Sequence, residues 1–238
     1  MARQPRNDYC GAIHHVFTRG VAQTAVARDD HDFRHALVLL EKVVSRYELV
    51  CHAWCFLPNH SHLLLTSQRK NISPAMQWLG ARTAESFNRR YERSGHLYQG
   101  RFGSRLVEDD GYLLELARYL PLNPVKAGLC ESPADWAWSS YSATAGLTSK
   151  PAFLETDAFL GALGSADAYV NWVTDGVLAC SLDEHGFVRP ASRPSLASLL
   201  EKDCDEAIAA AHFRHGYSQV AIAKHLGVSR AQIWRRLA

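Results

Sequence analysis

The chain predicts an α+β fold, a four-stranded antiparallel sheet with helices on one face, followed by a small helical C-terminal module. Three observations predict it. Strand-like and helix-like segments follow one another as β-α-β-β-α-β, the split βαβ arrangement. The two central runs sit close enough to form a hairpin. A further helix follows the fourth strand. In this reading the second face of the sheet stays open for binding.

Each element has a local signal. Ala12 to Thr18 is β-branched and aromatic, ends at Arg19-Gly20, and reads as the first strand. Phe33, Ala36, Leu37, Leu40, Val43, Val44 and Tyr47 recur at helical spacing in a helix that starts near Asp29 or Asp30. The apolar runs Leu49 to Phe56 and Leu63 to Thr66 flank Leu57-Pro58-Asn59 and read as the hairpin. Ser73 as cap and Pro74 at the first position open a second helix running toward Arg93. His96 to Val107 reads as the fourth strand, and Glu108-Asp109-Asp110 as the acidic start of a third helix.

With 238 residues, 47% of them hydrophobic, the chain can form one large domain or a medium and a small one. No stretch approaches the roughly 20 apolar residues of a membrane helix, and no leader-like segment opens the chain, so a cytoplasmic protein without a membrane partner is expected. Cys10, Cys51, Cys55, Cys130, Cys180 and Cys204 form no CxxC pair, which argues against a disulfide framework or zinc knuckle. Cys51 and Cys55, four apart in one strand, are expected as core thiols on one face. The net charge of +2 hides a segregation: residues 51–105 carry eight cations against Glu85 and Glu92, and residues 214–238 carry five with no acid. Residues 151–200 hold six acids against Arg189 and Arg193. Two basic surfaces for a polyanion, joined by a spacer, would have this pattern. The expected organisation is a domain over 9–145, an acidic linker region over 146–200 that includes Arg189-Pro190-Ala191-Ser192-Arg193-Pro194, and a module over 201–238.

In Pro58-Asn59-His60-Ser61-His62, strand alternation turns both imidazoles to one face, where they can chelate a metal. Among 12 histidines such a pair also arises by chance, so a third ligand and a nucleophile are needed. On the third helix Leu113, Leu114, Leu116, Ala117 and Leu120 form the buried stripe, with Tyr119 at its edge beside Asn123. A phenol and a carboxamide at i and i+4 can point together toward the sheet. Tyr112, seven residues earlier on the same face, is an equal candidate on helical position alone.

Leu57 to Leu65, Tyr98-Gln99-Gly100-Arg101-Phe102, Tyr112 to Leu120 and Asn123 to Leu129, in that order, resemble the single-tyrosine HUH transposases. Within them the chain is most similar to the REP-associated tyrosine transposases, over roughly residues 9–145. The resemblance implies a DNA-cutting and strand-transferring enzyme of the HUH endonuclease type. It implies His60 and His62 as metal ligands, Tyr119 as nucleophile, and Asn123 in place of the third ligand. Two histidines alone would favour zinc, whereas the resemblance implies Mg2+ or Mn2+. The product would be a 5′-phosphotyrosine and a free 3′-OH, and the substrate a single strand beside a small DNA hairpin. Two departures stand out: Ser61 replaces the usual hydrophobe between the histidines and is expected to face away from the metal, and Pro121 interrupts the helix between Tyr119 and Asn123.

For DNA binding, Arg82, Arg89 and Arg93 recur at helical spacing, and Arg101 and Arg105 interleave with Tyr98 and Phe102, which offer stacking for unpaired bases. Residues 218–236 read as two short helices, capped by Ser218 and Ser229 and joined at Gly227-Val228, and resemble a helix-turn-helix. Ala221, Ile222, Leu226, Val228 and Ile233 would pack together, leaving Ser229, Arg230, Gln232 and Arg236 to meet duplex DNA. A non-enzymatic helix-turn-helix regulator is the competing reading. A homodimer, with Tyr119 serving its own or a partner's histidines, stays open.

Overall fold

The computed structural model describes residues 7–176, 180–182, 188–190, 195–201, 204–211 and 219–237. Its elements are β1 (Ala12–Arg19), α1 (Asp30–Tyr47), β2 (Leu49–Phe56), β3 (His60–Ser67), α2 (Ile72–Arg90), β4 (Gly103–Leu106) and α3 (Asp110–Lys126). A short α4 (Tyr141–Thr144), α5 (Asp157–Leu163) and α6 (Ala166–Asp175) follow, then a two-stranded ribbon of β5 (Cys180–Leu182) and β6 (Val188–Pro190). The last elements are α7 (Leu196–Leu199), α8 (Asp205–Ala209), α9 (Gln219–Leu226) and α10 (Arg230–Leu237).

The strands pair antiparallel in the order β2-β3-β1-β4, so β1 and β3 occupy the centre. The Asp29 and Asp109 side chains accept from the N–H groups three residues on and start α1 and α3 where the acidic clusters predicted. For α2 the cap differs from Ser73: the helix begins two residues earlier, after Asn71, and its first N–H goes to the Asp8 carboxylate at 3.1 Å. The fourth strand is shorter than His96 to Val107. Residues 96–102 are largely loop, joined to the sheet through the Gly20–Tyr98 bridge.

Helices cover both faces of the sheet, not one. α1 and α2 pack on Val16, Trp54, Phe56, Leu63 and Leu65. α3 lies on the opposite face against Ala53, Cys55 and Leu64, and is itself covered by Phe159, Leu163, Tyr169, Trp172 and Val173 of α5 and α6. The face expected to be open therefore carries the tyrosine helix, and the segment read as an acidic linker contributes two packed helices to the first core. Its Arg189 and Pro190 lie in β6, while residues 191–194 fall outside the described residues. Cys51 and Cys55 are both buried but face opposite ways, because His52 is an extra residue between the Cys51–Leu65 and Ala53–Leu64 pairs. Burial pushes both thiols far up, which keeps them unreactive.

The exposed side of β2 is closed by the tryptophan-rich segment after α3. Phe56 N donates to Trp138 O, Ser140 N to Trp54 O and Glu155 N to Cys51 O, all within 3.0 Å. The C-terminal elements have their own core of Leu200, Ile208, Ala211, Ile222, Ala223 and Ile233, which reaches back to Leu196 and so starts earlier than residue 201. Among the described residues no helix is long and apolar enough to cross a membrane.

Candidate active site

His60 and His62 open β3 with one residue between them, and their rings meet edge to face with centroids 5.1 Å apart. Ser61 points the other way, to the α1 and α2 side, and its hydroxyl bonds Thr18 at 2.8 Å. The missing hydrophobe is thus replaced by a hydroxyl pair. His60 Nδ1 lies 2.7 Å from the Asn59 Oδ1, so the proton sits on Nδ1 and the lone pair on Nε2. His62 Nδ1 lies 3.0 Å from His15 Nε2, and its Nε2 lies 3.4 Å from the Tyr119 hydroxyl.

Burial holds His62 well below the usual imidazole range, with the neighbouring His15 and His60 adding to it. Burial brings His60 down to about 4 and His15 down to about 3, with Arg19 and Arg105 respectively as lesser causes. All three rings are neutral near pH 7, the state in which imidazole binds a metal. The donor set of two neutral imidazoles therefore fits a divalent cation. A separate cluster of Asp29, His31 and Asp32 at the start of α1 does not compete: Arg90 bonds both carboxylates and holds Asp29 down to about 2.

Tyr119 comes to His62 from α3, with ring centroids 5.2 Å apart, and is 7% exposed. α3 stays one helix through Pro121 and Pro124. Pro124 cannot donate to the Leu120 carbonyl, and Asn123 compensates in part: its Nδ2 donates to Tyr119 O at 2.7 Å and to Leu120 O at 3.4 Å. This anchors the amide nitrogen in its own helix, one turn past Tyr119, and leaves Oδ1 as the atom able to ligate. Behind α3, Trp172 Nε1 donates to Leu114 O at 2.9 Å. The buried Arg118 pairs with Glu115 at 2.7 Å and lies over the Trp172 ring.

The two candidate tyrosines divide. Tyr119 meets His62, whereas the Tyr112 hydroxyl meets His15 Nδ1 at 3.2 Å and a side-chain bond from Arg105. His15 escaped the sequence reading. The signal was a histidine between Ile13 and Phe17 on the inward-turned positions of a central strand.

The basic residues scatter. Arg105 is exposed opposite His15 in the β1–β4 pairing, beside the site. Arg101 borders a cleft of about 400 Å³ lined also by Gln77, Tyr98 and Phe102. Arg82 and Arg89 both pair with Glu85 at 2.7 Å, and Arg93 lies over Phe87; all three belong to the α2 side, across the sheet from the histidines. In the C-terminal pair, Gly227 turns at φ +69° between α9 and α10. Ser229 and Gln232 bond one another as a capping box, and Arg236 pairs with Asp205 of α8 at 2.7 Å. Ser218 and the Arg230 side chain lie outside the described residues.

The family model described as "Transposase IS200 like" matches residues 11–122. A Haemophilus influenzae protein named as a REP-associated tyrosine transposase is 30% identical over 123 residues, which cover 47% of this chain and 68% of that protein. The solved structure of a REP-associated tyrosine transposase bound to a REP hairpin covers 66% of this chain and 93% of its own, at 19% identity and a TM-score of 0.52, which shows the shared fold. A Deinococcus radiodurans transposase structure scores 0.36 at 15% identity, covering 47% of this chain and 91% of its own. By its sequence relative, and in agreement with its fold, the chain belongs to the REP-associated tyrosine transposases.

Proposed function

We propose that this transposase cuts and rejoins single-stranded DNA beside a hairpin, with Tyr119 as the nucleophile and a divalent metal at His60, His62 and Asn123. The observation that carries this reading is the Tyr119 hydroxyl 3.4 Å from His62 Nε2, in a cluster of buried neutral imidazoles. His60 and His62 would hold Mg2+ or Mn2+ through Nε2, and Asn123 through Oδ1, leaving room for phosphate oxygens and waters. Bound there, such an ion supplies charge stabilisation to a phosphodiester and to its departing oxygen.

The protein's own part is positional and nucleophilic. Tyr119 loses its phenolic proton, its oxygen bonds to phosphorus, and the P–O3′ bond breaks, leaving a 5′-phosphotyrosine and a protonated 3′-OH. The new ester keeps the phosphodiester energy, so another 3′-OH can displace Tyr119 and join strands without a high-energy cofactor. Arg105 beside the site is suited to backbone phosphates, and Arg101 with Tyr98 and Phe102 to an unpaired base. The hairpin in the related structure supports hairpin DNA as the partner. α9 and α10 would add duplex affinity. The capping box and glycine turn there also support a second reading, a non-enzymatic regulator that binds DNA through α9 and α10 as a helix-turn-helix.

The test is incubation with labelled single-stranded hairpin DNA and Mn2+, followed by denaturing gels. A covalent adduct is expected that disappears in Tyr119→Phe and in His60→Ala. Cleavage without an adduct would indicate water as nucleophile, and an adduct persisting in Tyr119→Phe would move the role to Tyr112. Duplex binding with no cleavage of any hairpin would favour the regulator. Gel filtration with and without DNA decides whether a dimer forms.

A further inference from the structure

We propose that His15 is a positioning residue for the metal site: it accepts the Nδ1–H of His62 and so presets the tautomer that leaves the His62 Nε2 lone pair facing Tyr119. The inference rests on the metal reading above and assigns a use to a buried histidine outside that ligand set. His15 is 2% exposed, and both of its ring nitrogens have partners: Nε2 meets His62 Nδ1 at 3.0 Å and Nδ1 meets the Tyr112 hydroxyl at 3.2 Å. The His15 and His62 rings stack with centroids 5.2 Å apart.

Such a chain has two proton orders. In one, Tyr112 donates to His15, His15 donates to His62, and the His62 proton is on Nε2, which cannot then ligate. In the other, His62 donates to His15, His15 donates to Tyr112, and His62 Nε2 carries a lone pair. Ligation through Nε2 requires the second. His60 reaches the same state by another route, through Asn59 at its Nδ1. Each imidazole thus has a fixed acceptor at Nδ1, the arrangement that orients metal-ligating histidines and whose loss costs 10–100-fold in affinity. Tyr112 ends the chain, with Arg105 bonded to its oxygen, and orients His15 without attacking DNA.

The experiment combines imidazole nitrogen NMR on metal-free protein with Mn2+ titration by EPR and adduct formation across Mn2+ concentrations. The variants are His15→Leu, His15→Gln and Tyr112→Phe, with urea midpoints to verify folding. Wild type is expected to show His62 protonated at Nδ1. In His15→Leu the tautomer shifts toward Nε2–H, Mn2+ binds 10–100-fold more weakly, and adduct yield returns at saturating Mn2+. His15→Gln, whose Oε1 can accept the same proton, restores most of both readouts, and Tyr112→Phe loses only several-fold. Should His15→Leu fail to fold, the Gln and Phe variants still decide. An Nε2–H tautomer in metal-free wild type, unchanged Mn2+ affinity in folded His15→Leu, or a Gln variant no better than Leu would overturn the inference. Wild type that binds no Mn2+ would overturn the metal reading itself; His60→Ala, expected to lose Mn2+, separates that failure from a failure of His15 alone.

Discussion

Trp172 tests whether α5 and α6 are structural backing for the helix that carries Tyr119. The residue is 5% exposed, its Nε1 donates to Leu114 O at 2.9 Å, and the Arg118 guanidinium lies 4.7 Å from its ring centroid. Trp172→Ala removes the ring from the core, at about 3–5 kcal/mol. It also strips Arg118, only 6% exposed, of its aromatic partner, while the Arg118 Nε already has no hydrogen-bond acceptor. Trp172→Phe keeps an aromatic ring and isolates the indole hydrogen bond, worth about 1 kcal/mol, together with some lost contact. The helix ladder still serves the Leu114 carbonyl, so about 1.5–2.5 kcal/mol in total is expected. For a domain of this size, each kcal/mol shifts Tm by roughly 2–4 °C, so the Ala variant should melt roughly 6–20 °C lower. Urea unfolding followed by circular dichroism measures both variants, and adduct yield at the assay temperature should fall with the Ala variant's stability. A cost below about 1 kcal/mol for Trp172→Ala would refute the reasoning. So would a chain ending at residue 145 that unfolds at the urea midpoint of the full protein.

Three further outcomes follow from the geometry. His15 titrates near 6.5 when unfolded but at about 3 when folded, so its depressed value favours folding above pH 6.5; this stability drains as the pH falls from 6.5 toward 3, by up to about 1.4 kcal/mol per unit. Urea midpoints between pH 7.5 and 5 should decline, less so in His15→Gln, and a flat profile would contradict the burial argument. Gly103 lies under the Phe17 ring, where an added Cβ would come within 2.0 Å of ring carbon; Gly103→Val is expected to cost about 1–3 kcal/mol and to reduce adduct formation, because Phe17 also borders His15 and His62. Unaltered stability in that variant would show that the ring swings aside freely. Arg105→Ala should weaken single-stranded DNA binding and lower the salt slope by about 0.7, as for one lost phosphate contact, whereas Arg89→Ala, across the sheet and paired with Glu85, should leave the slope near wild type. Equal effects from the two would place the DNA path over α2.

What was legible in the sequence was what local chemistry decides. The hairpin bounds, the acidic caps at Asp29 and Asp109, and the shared face of His60 and His62 all follow from neighbours within a few residues. Residues 157–175 were misread because Asp157, Asp167 and Asp175 dominated the charge count. The helical spacing of Phe159 with Leu163, and of Tyr169 with Trp172 and Val173, was present all along and is what buries them. Cys51 and Cys55 were misassigned to one face because a bulge at His52 arises from pairing with β3, which local alternation does not record. His15 was missed since its meaning comes from His62 and Tyr112, 47 and 97 positions away. The choice between Tyr112 and Tyr119 was undecidable on a helical wheel for the same reason, as only the docking of α3 separates them.

That docking explains how a phenol on one element can be held against imidazoles on another. The histidines ride on the two central strands, each paired on both sides, so their backbone cannot shift without breaking ladders on either flank. Tyr119 has no such restraint from the sheet, and α3 carries two internal prolines that weaken its ladder close to it. Its placement therefore depends on packing from both sides: Cys55, Leu57 and Leu64 beneath, and Phe159, Tyr169 and Trp172 above. A constellation of side chains works only when held to within about 0.5 Å, and packing on both faces of α3 supplies that restraint for Tyr119. α5 and α6 thus belong mechanically with the domain that carries Tyr119, which the charge pattern had ended at residue 145. The C-terminal elements have a core of their own, but α8 meets α6 around Trp172, where Glu206, Ala209 and Ala210 line a cleft with Leu163 and Asn171, so the backing of α3 continues into them.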